Sequence, residues 1–179
     1  MIYVFLADGF EEIEALTPVD ILRRGGVDVV TVGIGGKTVI GSHKIPVAAD
    51  IADSDIKDYN GMEGIVLPGG MPGTLNLEAS RTVLDAVSYC AEKNLLIGAI
   101  CAAPSILGHM GLLKGKKATA FPSFQSELEG AVLDDFVSCD GMIVTARGMG
   151  VSSEFALKLL EILKGVDEAQ KVKDSIQCR

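Results

Sequence analysis

The strongest constraint in this sequence is an alternation: short, continuously apolar runs are each followed by a segment whose apolar residues recur at helical spacing. Residues 2–7 form such a run, and after an acidic stretch Ile13, Leu16, Val19, Ile21 and Leu22 space out as the buried stripe of a helix that ends at Gly25-Gly26. Residues 27–33, 61–67 and 95–100 predict three more core strands, with a helix over about 77–92 before the last of them. Strands without polar alternation are covered on both faces, so the pattern predicts a parallel sheet between two helix layers, a doubly wound α/β sandwich. Residues 37–47, interrupted by Gly41-Ser42, read as a hairpin within a crossover, 117–120 and 142–146 as later strands, and 153–164 and 167–176 as terminal helices. No repeat or Pro/Gly/Ser-rich linker divides the chain, and 48% hydrophobic residues suffice for one core, so residues 1–179 are expected to form a single domain.

Charge narrows the partners. Twenty-four acidic against sixteen basic residues give a net charge of -8, a field that repels phosphate backbones and anionic headgroups, so neither nucleic acid nor a membrane surface is expected as a partner. The apolar runs fall well short of the roughly 20 residues that span a bilayer. The first residues carry no basic leader and read as a strand, which makes a soluble, cytoplasmic protein the expectation. Four cysteines, Cys90, Cys101, Cys139 and Cys178, show neither CxxC nor CxH spacing, so no metal site and no disulfide framework is expected.

In open parallel sheets ligands bind at the carboxyl ends of the strands. Three loops lie at such ends: Asp8-Gly9-Phe10-Glu11-Glu12-Ile13-Glu14, Pro68-Gly69-Gly70 and Cys101-Ala102-Ala103-Pro104. Cys101 follows a strand and precedes a helix begun by Pro104, the layout of a nucleophile elbow, and helix N-terminal N–H groups there favour a thiolate with a depressed pKa. A buried structural cysteine is the alternative. Gly69-Gly70 leaves backbone N–H groups open to an oxyanion, although a tight turn accounts for the same residues. Glu11 and Glu12 read as charge complementing a helix N-terminus. Glu14 lies beside apolar positions, so its carboxyl is expected to be buried, raised in pKa and able to shuttle a proton beside a thiol. The two histidines fit a Cys–His mechanism poorly: His109 would lie about 12 Å along a helix from Cys101, and His43 falls in the hairpin.

Four ordered motifs then resemble the DJ-1/ThiJ/PfpI superfamily, on its DJ-1-like side: Gly9-Phe10-Glu11-Glu12-Ile13-Glu14 with Pro18-Val19-Asp20, Val66-Leu67-Pro68-Gly69-Gly70, Ala99-Ile100-Cys101-Ala102-Ala103-Pro104, and Ala146-Arg147-Gly148-Met149-Gly150 leading into Glu154-Phe155-Ala156. The resemblance implies a flavodoxin-like three-layer sandwich and a homodimer. It also implies a site in which Glu14 hydrogen-bonds Cys101 while Gly69, Gly70 and Ala102 form an oxyanion and substrate pocket. In the protease-like branch a histidine follows the cysteine directly; here it is Ala102, which argues against a peptidase. Some DJ-1-like members carry a histidine where this chain has Phe121, leaving Glu14 as the proton shuttle.

The function this implies is detoxification of reactive dicarbonyls or early glycation adducts, a glyoxalase- or deglycase-like reaction on a small aldehyde without a dissociable cofactor. The alternative is a redox sensor or stress chaperone acting through oxidation of Cys101. A thiamine-pathway phosphate enzyme ranks lower, since the chain has no P-loop.

Overall fold

The architecture was read from a computed structural model that describes residues 1–178. Its central sheet is built from β1 (Ile2–Leu6), β2 (Val29–Gly33), β5 (Ile51–Ala52), β6 (Gly64–Leu67), β7 (Leu96–Ile100), β10 (Val137–Asp140) and β11 (Ile143–Ala146). They lie in the order β10-β11-β7-β6-β1-β2-β5. Every neighbouring pair is parallel except β10–β11. The five central strands thus have the 2-1-3-4-5 order of a flavodoxin-like sheet, whose direction of winding reverses between β1 and β6. Outside the sheet, β3 (Thr38–Ile40) and β4 (Pro46–Ala48) form the expected hairpin, and β8 (Lys117–Ala118) pairs with β9 (Val132–Leu133).

Period-2 geometry sends alternate side chains of each buried strand into two separate cores. Val4, Leu6 and Val66 face the layer of α1 (Glu12–Arg24), α5 (Ser152–Lys164) and α6 (Val166–Ser175), meeting Ala15, Leu22, Phe155 and Leu160. Phe5, Ile65 and Leu67 face the layer of α2 (Gly73–Ala79), α3 (Arg81–Lys93) and α4 (Pro104–His109), meeting Leu77, Val87, Cys90 and Ile106. No helix among the described residues is long and apolar enough to cross a membrane.

Three expectations need correction. The helix expected over 77–92 is two helices, because Ser80 is extended (φ -82°, ψ 117°) and turns the chain between α2 and α3. The stripe expected on α1 holds for Val19, Ile21 and Leu22 but not at its start: Ala15 and Pro18 are buried there, whereas Ile13 and Leu16 are 46% and 38% exposed. The helix docks on α5 and the sheet through the i, i+3, i+4, i+7 set that begins at Ala15, and Ile13 and Leu16 fall outside it. The strand expected over 117–120 is only the two residues of β8, and β10 forms an antiparallel edge that the hydropathy pattern does not reveal.

Candidate active site

The loops after β1, β6, β7 and β11 meet on one rim of the sheet, at the carboxyl ends of four adjacent parallel strands. Backbone hydrogen bonds tie them together. Cys101 N–H donates to Ala146 O at 2.8 Å, Glu11 N–H to Gly69 O at 2.9 Å, and Phe121 N–H to Cys101 O at 2.8 Å. Cys101 itself is held at φ +65°, in the left-handed region that non-glycine residues avoid. Such a position costs of order 1–3 kcal/mol and persists only where the surroundings impose it. Here the bonds to Ala146 and Phe121 impose it, at a sharp turn between β7 and α4.

Glu14 is brought to the same place by the first turn of α1 and is only 1% exposed. It is buried although Ile13 and Leu16, which were expected to share its apolar surroundings, are not; the burial comes from the opposing loops. Its carboxylate accepts Gly69 N–H at 3.0 Å, Met149 N–H and the Cys101 thiol. Burial outweighs these bonds and pushes the carboxyl up to about 7. Gly69 was grouped with the oxyanion donors, but its N–H is committed to Glu14, so it holds the carboxylate. A side chain there is excluded: a Cβ would stand 2.6 Å from Cys101 Cβ and 2.7 Å from Glu14 Oε2.

Two backbone amides face the sulfur: the N–H groups of Gly70 and Ala102 both donate to Cys101. Gly70 sits at φ +91° with Glu11 N 2.4 Å from where a Cβ would be, so only glycine brings that amide in. The thiol is nevertheless not depressed as expected. Burial first, then the Glu14 charge and its hydrogen bond, push it up to about 12, with the two amides pulling the other way. The helix after it is a single short turn and a half, too little to outweigh a desolvated site beside a carboxylate. The resting pair is therefore a thiol with one proton available to a carboxyl poised near neutrality. Moving that proton to Glu14 removes the repelling charge as it creates the thiolate.

Neither histidine lines the cleft above Cys101. His109 pairs with Glu78 at 2.6 Å and Glu127 at 3.3 Å, and His43 with Glu12 at 3.0 Å, their positive forms favoured by those carboxylates. Glu12 does more than complement the helix end. Only 5% exposed, it accepts His43 N–H at 2.9 Å and Ser42 Oγ–H at 3.3 Å, locking the hairpin loop onto α1. Among the other cysteines Cys90 is fully buried, with its thiol pushed up to about 12 by burial alone, and Cys139 is exposed. No disulfide links the described residues.

Above Cys101 opens a cleft of about 530 Å³. Glu11, Glu14 and Gly70 lie at its floor with the cysteine, and Phe121, Phe136, Arg147 and Met149 are among its walls. The Arg147 guanidinium lies 4.6 Å over the Phe136 ring and donates to Thr119 Oγ1 at 3.3 Å and Asp134 O at 3.4 Å. Phe136 carried no signal in the sequence; Arg147 and Met149 lay in a motif without an assigned role.

Comparison with known proteins places this geometry in context. Residues 1–162 match the model of the DJ-1/PfpI family. The chain is 40% identical over 92% of its length to Protein DJ-1 homolog B of Arabidopsis thaliana, of which it spans only 38%. It is 30% identical over 90% of its length to Glutathione-independent glyoxalase DJR-1.2 of Caenorhabditis elegans, spanning 87% of that protein. The crystal structure of Drosophila melanogaster DJ-1beta superposes with a TM-score of 0.93 at 34% identity, covering 99% of this chain and 97% of that one. The sheet order, the motifs and these matches agree: the chain belongs to the DJ-1/PfpI family.

Proposed function

We propose that the protein converts reactive 2-oxoaldehydes, or the early adducts they form, into 2-hydroxy acids through Cys101. The observation that carries this reading is the buried Glu14 carboxyl, near 7, hydrogen-bonded to the Cys101 thiol at the floor of an open cleft. The glyoxalase name of the nematode relative supports the same chemistry.

Glu14 takes the thiol proton as the sulfur attacks the aldehyde carbon; the S–C bond forms and the carbonyl electron pair moves to oxygen. The amides of Gly70 and Ala102 hold that oxyanion until Glu14 protonates it, giving a hemithioacetal. Glu14, again a carboxylate, removes the proton from C1 and returns it to C2 through an enediol, while the C1 hydroxyl proton passes to the C2 oxygen. This oxidises C1 to a thioester and reduces C2 to a carbinol, so no external oxidant or reductant is needed. Water cleaves the thioester, releasing the 2-hydroxy acid and restoring the thiol. One base serves every proton transfer, which suits a carboxyl poised near the working pH. The decisive experiment is methylglyoxal turnover by Cys101→Ala, with its fold checked by circular dichroism. Lactate formation at the wild-type rate would sink the proposal.

A second reading, oxidation sensing, draws support from the donors around the sulfur: the Gly70 and Ala102 amides and a protonated Glu14 would each bond a sulfinate oxygen. Mass spectrometry after mild peroxide tests it, since it requires Cys101 to gain oxygen well before Cys139. Two further parts of the proposal concern the setting. A chain whose nucleophile must stay reduced fits the cytoplasm. Two copies pair through α1 and the hairpin, where Ile13, Leu16 and Ile45 stand exposed. Sedimentation of Ile45→Lys, expected to be monomeric, checks the second point.

A further inference from the structure

The reactive groups occupy only the floor of the cleft. Five non-hydrogen atoms make up methylglyoxal, whereas a cavity of about 530 Å³ lies within the range that holds far larger ligands. What surrounds the remaining space is apolar. Phe121, Pro122, Phe136, Met149 and Val151 line it. Three of these stay open to the outside: Phe121 is 47% exposed, and Phe136 and Met149 are each 54% exposed. Large apolar side chains gathered at the mouth of a concave site mark a surface built to be covered.

The charges nearby do not contradict this. Arg147 spends its guanidinium on Thr119, on Asp134 O and on the Phe136 ring, so it braces that ring. Glu11 and Glu14 lie at the floor beside Cys101. Apolar surface begins right beside the reactive pair: a Cβ on Gly148 would stand 3.7 Å from Phe121 Cδ2 and 4.0 Å from Cys101 Sγ. A ligand matched to the cleft carries its dicarbonyl at Cys101 and a bulky apolar group against the surrounding side chains.

We propose that the cleft selects 2-oxoaldehydes bearing a bulky apolar substituent on the keto carbon, with Phe121, Phe136 and Met149 as the residues that determine this specificity. The inference rests on the Cys101-dependent turnover proposed above and uses the same balanced steps. C1 is oxidised to the carboxylate, C2 is reduced to the carbinol that bears the substituent, and water is the co-reactant.

The test compares kcat/KM for methylglyoxal and cyclohexylglyoxal, whose ring is apolar but not conjugated with the carbonyl and so leaves it little altered in intrinsic reactivity. For wild type, kcat/KM for cyclohexylglyoxal is expected to exceed that for methylglyoxal at least tenfold, mainly through a lower KM, as burial of several apolar carbons allows. Phe136→Ala should lower the ratio of kcat/KM for cyclohexylglyoxal to that for methylglyoxal about tenfold, through KM for the bulky substrate. Far-ultraviolet circular dichroism checks that the variant is folded. Methylglyoxal turnover without the bulky-substrate preference, or a variant that lowers both substrates equally, overturns the selectivity and leaves the dicarbonyl reaction standing. If wild type turns over neither aldehyde faster than Cys101→Ala, the dicarbonyl reaction and the selectivity fall together.

Discussion

Replacing Glu14 by glutamine is expected to make the protein more stable at pH 8 while disabling it. Glutamine keeps the shape and an oxygen for the Gly69 N–H, and it removes a charge that the fold holds out of water. An ordinary glutamate loses its proton at 4.5, and this one at about 7. The native chain thus binds the proton more tightly than the unfolded chain does, and between those two pH values stability falls as pH rises. At about 1.4 kcal/mol per pH unit the whole interval amounts to about 3 kcal/mol. The gain for Glu14→Gln should be near zero below pH 4.5, grow through the interval and level off above pH 7. Urea unfolding of both proteins from pH 4 to pH 8.5 measures it. With a slope of roughly 1–3 kcal/mol per molar, the midpoint at pH 8 should move up by about 1–3 M. A variant less stable than wild type at pH 8, or a difference that does not vary with pH, would refute the assignment of Glu14 as a desolvated carboxylate.

Other outcomes follow from the same geometry. With Glu14 acting as base, kcat/KM for methylglyoxal should rise about tenfold from pH 6 to pH 8 around a midpoint of about 7. Glu14→Gln should lose roughly 10²–10⁴ in rate together with that limb of the profile. Gly69→Ala must displace either Cys101 or Glu14, so turnover should drop by about 10² or more in a protein whose far-ultraviolet circular dichroism is retained. Glu12→Ala leaves the hairpin loop without its buried acceptor and should cost about 1–3 kcal/mol in urea unfolding, with faster amide exchange at Ser42 and His43. Asn94 ends α3 at φ +52°; Asn94→Gly should be neutral or slightly stabilising and Asn94→Ala should cost about 1 kcal/mol, both read from the same unfolding curves.

The parts of the fold that were legible in the sequence are those where burial on both faces leaves a continuous apolar run, as in β1, β6 and β7. The edge strand β10 was not legible, because Val-Ser-Cys-Asp has one half-covered face and no such run. On α1 the sequence offers several stripes of similar quality, and only the position of α5 decides that Ala15 and Leu22 turn inward while Ile13 and Leu16 turn out. Cys101 was legible as a candidate because it sits in the turn after a core strand, whereas its pairing with Glu14, in the first turn of α1, came from the family resemblance. The thiol's pKa was not, since a helix end is visible in sequence whereas desolvation and a carboxylate arriving from α1 are not. Part of the cleft wall was hidden for the same reason: Phe136 reaches the site from the segment after β9, and nothing in the linear order joins it to Cys101.

The thiol held near 12 has a consequence for how the chain meets ordinary electrophiles. In an unfolded or half-made copy Cys101 is an unremarkable cysteine, with a thiolate fraction at pH 8 well above that of the native protein. A simple alkylating reagent should therefore label Cys101 faster in denatured chains than in folded ones. The native fold thus shields its sulfur where an unfolded chain would leave it open to attack.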